Sequence, residues 1–526
     1  MSVRLVVDGR PVEVPDDGSS LLEVLRDRLG LRTAKDGCSP QGQCGCCTVW
    51  VEGAPRVACV TPARRVAGRS VTTLEGLEPA ERRCWAEAFS ATGASQCGFC
   101  TPGIVMRLAA LRRRGDEAPD EASVGRALAA HLCRCTGWRT IFDAARLVDG
   151  HASGPTPGRD VAAAGRRAAL EGGNPQTVGP AVPLGEGGFA DDTAPADALV
   201  AVPDGDGGWA VGETLRQARV AAGKVQGRRS PVQLGHPLEV PPGEWPLTLR
   251  TTWVEPAYLE TDASWCRPGG EPATPLANGG AFGGKRASPA PEAARRLADE
   301  LGRPVRVLLS REDTVRLGPK RPPVAAGIGL DGSGVMRVVR TPGVAEAIRS
   351  VAPGLVVEEV DAAGPATSSD IRGAGWVEAA VLLAVVSRLG GEGGRVEAGG
   401  PVRIDLPSGA AAEASIGPDG AVTVRVSCGL PLDEIVLRSY CTGAAHMAMS
   451  WVRSEGLAVD EDGEPTDLTI RSFGIMSARD TPPVLVEIVP SESPPVNGSD
   501  AAFAAVAAAA WMADGLPQDW PTRGRA

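Results

Sequence analysis

Thiols are the residues of this chain best placed to do chemistry. Nine of its thirteen cysteines fall in tight groups before residue 136, whereas only four histidines occur in all. Imidazole chemistry therefore cannot dominate. Met1-Ser2-Val3-Arg4 enters directly into a strand pattern with no leader peptide in view, so the expected location is the cytoplasm. Cellular thiols keep cysteines reduced there, and grouped cysteines then point to metal instead of disulfides. One group pairs Cys97 and Cys100, in the run from Gln96 to Gly103, with Cys133 and Cys135, in the run from Leu132 to Trp138. Four thiolates brought together in this way suit an iron–sulfur cluster or a zinc ion.

The residues between Cys100 and Cys133 must return the second pair to the first, and they read as helix, turn and helix. Thr101 is placed to cap a helix whose first position is Pro102, where the missing N–H costs nothing. Ile104, Val105, Leu108 and Leu111 follow at helical spacing, Gly115 ends the run, and Val124, Leu128 and Leu132 mark the returning segment. A second group, Cys38, Cys44, Cys46, Cys47 and Cys59, lies within a β-rich stretch. Val3, Leu5 and Val7 alternate with polar residues, Asp8-Gly9 supplies a hairpin turn, and Val12 and Val14 resume the alternation. Ser20 and Glu23 have capping-box spacing ahead of Leu21, Leu22, Leu25 and Leu29, with Gly30 closing the helix. Glycines among these cysteines let backbone N–H groups point at sulfur and stabilise a cluster's negative charge.

Cys44-x2-Cys47 with an outlying Cys59 is close to the plant-type ferredoxin spacing, except that five residues, not four, separate Cys38 from Cys44. The loop must bulge or Cys46 must take part. The expected ligands are Cys38, Cys44, Cys47 and Cys59, with Cys46 a small neighbour packed beneath. Taken together, GQCGCCTV, QCGFCTPG and LCRCTGW resemble the iron–sulfur half of the xanthine dehydrogenase/aldehyde oxidase family of molybdenum hydroxylases. The resemblance implies a β-grasp ferredoxin-like domain over 1–76 and a helical [2Fe–2S] domain over 77–150. Cys97, Cys100, Cys133 and Cys135 would then hold an inner cluster, near the pterin of the molybdenum cofactor in that family. Gln96 and Arg134 border that cluster, either tuning it or touching pterin, or simply packing. A structural zinc knot is the competing reading of the helical block.

Residues 151–175 are rich in Gly, Pro, Ala and Arg without clear periodicity, the composition of a linker. Residues 176–526 resemble a shortened molybdopterin-binding region. Val254-Glu255-Pro256, the glycine loop from Asn278 to Lys285, Gly302-Arg303-Pro304-Val305, Ile371-Arg372-Gly373-Ala374-Gly375 and Ser493-Pro494-Pro495 occur in the family's order. On that resemblance Phe282 and Arg372 are candidates for the cofactor side. The region nevertheless lacks a strand and helix before Gly279 and the family's later pterin-binding loops. The family's catalytic glutamate, the base that activates a molybdenum-bound hydroxyl, aligns with Ser493, and Glu492 is displaced by one residue. A base must lie within hydrogen-bond reach of its proton, so Glu492 is either that base or an exposed loop acid. Gly279-x4-Gly284-Lys285 also matches most of a P-loop, but Arg286 stands where Ser or Thr would hold magnesium. Alternation of Val422, Val424 and Val426 predicts a strand, as do Leu468 and Ile470 after Asp460–Gly463, and Cys84, Cys266, Cys428 and Cys441 read as lone buried thiols.

The fold class expected is thus multidomain α+β: a β-grasp ferredoxin-like domain, a helical [2Fe–2S] domain, then a mixed α/β molybdopterin-binding-type region. A net charge of −10 argues against nucleic acid or an anionic membrane as partner. The apolar run Ala501–Ala513 falls short of the ~20 residues of a membrane span and reads as a buried helix. The function expected is an iron–sulfur electron-transfer subunit with two [2Fe–2S] clusters, working between a partner's molybdenum site and a flavin subunit or other acceptor. No flavin-binding segment is visible, so no FAD is expected on this chain. The alternatives are a compact molybdenum-cofactor hydroxylase of aldehydes or N-heterocycles, and an iron–sulfur redox sensor or scaffold.

Overall fold

Val3, Leu5 and Val7 build β1 (Ser2–Val7) and are its buried face. Asp8 and Gly9, at φ 50° and 78°, turn the chain into β2 (Arg10–Pro15), which pairs antiparallel with Val3 opposite Val14. With β3 (Thr48–Val51), β4 (Ala54–Val57) and β5 (Ser70–Thr72) they form a sheet of order β2-β1-β5-β3-β4, in which β1 and β5 run parallel. The capping box of Ser20 and Glu23 forms as expected and opens a helical segment that widens to a π-helix over Val24–Arg28. This computed structural model describes residues 2–114, 119–148, 159–223, 233–276, 280–390 and 400–524.

Helices α1 (Pro79–Thr92), α2 (Thr101–Arg112), α3 (Glu121–Leu128) and α4 (Arg139–Val148) follow. The N-cap of α2 is Cys100, not Thr101. Thr101 is already helical, and its hydroxyl meets Ser95 Oγ at 3.1 Å. Gly115, expected to end that helix, lies outside the described residues.

The stretch expected to be a linker contains a buried helix, α5 (Val161–Gly172). Asp160 caps it by accepting from the N–H groups of Ala162 and Ala163, and Gly173 ends it at φ 70°. Its buried face is Ala163, Ala164, Arg167, Ala168 and Glu171. Alanine favours helix strongly but marks no apolar face, so the stretch reads as loop from sequence.

Three further sheets carry the rest. One runs Trp209–Gly212, Leu199–Pro203, Val305–Leu308, Ala263–Cys266; the second runs Leu355–Val360, Gly334–Val339, Val324–Ile328, Leu247–Thr251, Asp519–Trp520. The third, Val402–Asp405, Ala411–Ile416, Val422–Ser427, Val484–Ile488, contains the expected Val422–Val426 strand. Between them pack α6 (Trp376–Leu389), α7 (Glu434–Arg453) and α8 (Ser499–Ala513), and α8 is buried from Ala501 to Met512. Leu468 and Ile470 are not in a strand: Ile470–Phe473 is a 3-10 turn. Gln41 reaches across to it, Nε2 donating to Leu468 O (2.7 Å) and Oε1 accepting from Ile470 N–H (3.3 Å). Cys266, Cys428 and Cys441 are buried as expected, while Cys84 is only half-buried. Among the described residues no helix is long and apolar enough to cross a membrane.

One apolar core joins the cysteine-bearing half to the rest. Trp85, Phe89 and Trp138 belong to the same buried cluster as Phe189, Trp253, Leu457 and Phe473.

Candidate iron–sulfur centres

The loop from Gly37 to Cys47 and the turn at Cys59 bring Cys38, Cys44, Cys47 and Cys59 together, all buried. Ser39 at φ 41° and Gly42 at φ 69° bend the loop and accommodate its extra residue. Backbone N–H groups point at sulfur: Gln41 and Gln43 donate to Cys38 Sγ at 3.1 and 3.4 Å, and Cys59 to Cys47 Sγ at 3.4 Å. Hydrogen bonds from Cys44 and then Cys59 hold the Cys38 thiol well below its ordinary value, while the bond to Cys38 pushes Cys44 well above. Thiols that compete for protons in this way form a donor set that metal satisfies once the protons leave. Cys46 is fully buried; a hydrogen bond with Cys44 lowers its thiol, but burial and the neighbouring thiols outweigh it and leave it raised.

The second set stands where α2 begins and α4 approaches. Cys97 Sγ and Cys135 Sγ are 3.6 Å apart, and Cys100 hydrogen-bonds Cys133. That bond lowers the Cys133 thiol to about 6 against the opposing effect of burial, with Thr136 Oγ1 adding a contact at 3.1 Å. Gly98 (φ 83°), Gly137 (φ 63°) and Trp138 (φ 67°) make the sharp turns that aim these sulfurs inward. Among the described residues no three Cys, His, Asp or Glu side chains converge tightly enough for a single metal ion. The sulfurs face one another in pairs, Cys97 with Cys135 and Cys100 with Cys133. The two sets are joined by one backbone hydrogen bond, from Leu132 N–H, beside Cys133, to Cys44 O at 3.0 Å.

Gln96 Nε2 donates to Cys135 O (2.9 Å) and Ser439 Oγ (3.0 Å), and its Oε1 is buried without a partner. Arg134 is taken up by Glu455 and Pro256 O. Two glycines cover the inner set from the far half of the chain. A side chain at Gly280 would lie 3.0 Å from Cys97 Sγ, and one at Gly443 would lie 1.7 Å from Cys135 O. Sequence reasoning missed Gly443, Ser439 and Glu455; the available signal was a glycine in the interior of an otherwise strong helix.

Phe282 and Arg372 meet each other, the guanidinium 4.9 Å from the ring centre. Arg372 is otherwise occupied within the chain: Nε donates to Asp500 Oδ1 at 2.7 Å, Nη2 to Ser499 Oγ, and its N–H to Phe282 O at 3.0 Å. The cavity they line with Arg134, Pro256, Met447 and Phe503 is about 30 Å³. Gln96 lies against a different one, of about 20 Å³, with Tyr440 and Gln176. The N-terminus of α8 is filled by Glu171, whose carboxylate accepts from Gly498 N–H (3.1 Å) and Ser499 N–H (2.8 Å) while Arg167 binds it at 2.9 Å. Glu492 is exposed on the loop after Val484–Ile488 and does not join Phe282 and Arg372. Lys285 of the glycine loop pairs with the buried Glu260 at 2.6 Å, away from any phosphate role; Asn278 and Gly279 lie outside the described residues.

Two domain families match the N-terminal part of the chain. A 2Fe-2S iron-sulfur cluster binding domain matches residues 5–66, and a [2Fe-2S] binding domain matches 73–146. The chain is therefore of the class that carries two [2Fe–2S]-binding domains in series. It is 39% identical over 142 residues to isoquinoline 1-oxidoreductase subunit alpha of Brevundimonas diminuta, spanning 26% of this chain and 91% of that subunit. It is also 39% identical over 166 residues to xanthine dehydrogenase 2 of Arabidopsis thaliana, spanning 28% of this chain but only 12% of that protein. The chain belongs to the xanthine dehydrogenase/aldehyde oxidase family of molybdenum hydroxylases. In fold alone, it is similar to aldehyde oxidoreductase from Desulfovibrio gigas, with a TM-score of 0.70, 15% identity and 99% of each chain covered.

Proposed function

We propose that this chain is the electron-transfer component of a molybdenum hydroxylase, working in the cytoplasm between a partner's molybdenum site and a flavin subunit or other acceptor. The observation that carries the reading is the pair of four-thiol sets joined through Leu132 N–H and Cys44 O at 3.0 Å. Cys97, Cys100, Cys133 and Cys135 would hold the inner [2Fe–2S] cluster, and Cys38, Cys44, Cys47 and Cys59 the outer one, over domains 1–76 and 77–150. Such clusters supply one-electron redox chemistry. The protein's part is to exclude water from the sulfurs, to aim N–H groups at Cys38 and Cys47, and to set the two sets one hydrogen bond apart.

The second half of the chain is read as a docking body that has lost its own molybdenum site. Cofactor pockets run to about 300–1,000 Å³, whereas the cavity at Phe282 and Arg372 is about 30 Å³. Arg372 is taken by Asp500, the α8 N-terminus by Glu171, and Glu492 faces solvent. A pterin does not fit these residues as they stand. One observation favours the second reading, a compact hydroxylase: Gln96 Oε1, beside Cys135, is a buried acceptor without a donor.

Metal analysis of the purified chain tests the reading. About four iron atoms per chain without molybdenum are expected for two [2Fe–2S] clusters. Molybdenum near one per chain would establish the hydroxylase instead, and zinc in place of iron would remove the electron-transfer role.

A further inference from the structure

We propose that Arg311 is the buried counter-cation of the outer cluster and raises that cluster's reduction potential above that of the inner one. This rests on the reading of Cys38, Cys44, Cys47 and Cys59 as cluster ligands. Arg311 is 0% exposed. Its Nη2 donates to Gly37 O at 2.6 Å and to Leu259 O at 2.9 Å, and its Nε and Nη1 are buried with no hydrogen-bond partner. Gly37 directly precedes Cys38. A side chain there would lie 3.1 Å from Cys44 Sγ, 3.2 Å from Cys46 Sγ and 3.2 Å from Leu259 O. The guanidinium thus grips the backbone against which Cys44 Sγ packs.

A buried charge without a partner is costly, so buried cations are paired or face an anion. Other deeply buried cations obey this rule, among them Arg134 with Glu455, Arg167 with Glu171, Arg321 with Glu378, Lys285 with Glu260, Lys320 with Glu255 and Lys35 with Asp192. Arg311 has no such carboxylate among the described residues. The nearby acids are engaged elsewhere: Asp262 accepts from Tyr258 Oη at 2.7 Å, Glu255 pairs with Lys320 at 2.9 Å, and Asp313 accepts from Ser310 N–H and Oγ at 3.0 and 2.6 Å. The anion that remains is the thiolate set itself. Four thiolates and two sulfides around two ferric ions leave a doubly negative cluster, and one electron arriving from the inner cluster makes it triply negative. A fixed positive charge in a low-dielectric surrounding favours the more negative state. Beside the inner set the corresponding arginine, Arg134, is neutralised by Glu455. The arginine beside the inner set is thus neutralised by a carboxylate and Arg311 beside the outer set is not, a difference that would favour electron movement from inner to outer.

The test is a potentiometric titration of the full-length chain followed by electron paramagnetic resonance, with the outer signal assigned in a Cys97→Ser variant. In Arg311→Met the equilibrium constant for reducing the outer cluster is expected to fall at least tenfold, 59 mV for a one-electron couple, with the inner cluster unmoved. Arg311→Lys, which keeps the charge, is expected to retain most of the potential. An Arg311→Met protein with full iron and an unchanged outer potential overturns the proposal. Should that variant fail to fold, the wild-type chain still decides: an outer potential at or below the inner one overturns it equally. A wild-type chain without iron–sulfur signals would instead sink the cluster reading.

Discussion

Arg134 and Glu455 meet in two parallel hydrogen bonds of 2.5 and 2.8 Å, both side chains almost wholly out of water. Arg134 stands between Cys133 and Cys135, and Glu455 follows α7, so this pair fastens the inner thiol set to the far half of the chain. Removing one partner of a buried pair strands the other charge at a cost of about 3–5 kcal/mol. Glu455→Ala is expected to lose that much stability in urea denaturation. The double variant Arg134→Met/Glu455→Leu should regain a large part of it, and a single variant as stable as wild type would show that water already reaches Arg134.

The outer set makes a sharper distinction between neighbours. Cys46 and Cys47 are adjacent and both buried, yet only Cys47 receives the Cys59 N–H, at 3.4 Å. Cys46→Ala is expected to keep about four iron atoms per chain, and Cys47→Ser to keep about two. Loss of iron in Cys46→Ala would make Cys46 a ligand.

Gly443 admits no side chain, since one would reach within 1.7 Å of Cys135 O. Alanine normally improves a helix interior by roughly 0.5–1 kcal/mol over glycine. Here Gly443→Ala should do the reverse, displacing Cys135 and diminishing the inner cluster's paramagnetic signal while sparing the outer. Equal loss of both signals would mean a general folding defect.

Acid sensitivity should follow His446. Its Nε2 lies 3.1 Å from Met476 O, its Nδ1 is buried without a partner, and burial lowers its pKa from 6.5 to about 4. Between those values the unfolded chain binds a proton that the folded chain refuses. Stability from this group is therefore complete above pH 6.5 and falls as the pH drops towards 4, by about 1.4 kcal/mol per pH unit. His446→Gln removes this slope, so the wild-type curve minus the variant curve should steepen between pH 6.5 and 4. A flat difference would place His446 in water.

The first 148 residues were largely legible because their signals are local. Asp8-Gly9 dictates its hairpin, Ser20 and Glu23 their capping box, and cysteine spacing the two thiol sets. The Thr101 cap was misplaced by one residue because Pro102 fits either of the first helical positions. Beyond that point local signals mislead. The helix at Val161–Gly172 hides in an alanine-rich run, and its Glu171 meets Ser499 across 328 positions of chain. Leu468 and Ile470 alternate like a strand, yet Gln41 claims their backbone from 427 and 429 positions away. Partners so distant leave no trace in a window of ten or fifteen residues.

The clasp of Gln41 on Leu468 and Ile470 also has a bearing on time. A ribosome delivers the cysteine loop first and its cover 427 residues later. Until Leu468 and Ile470 have been made, the loop that carries Cys38 and Cys44 lacks this clasp.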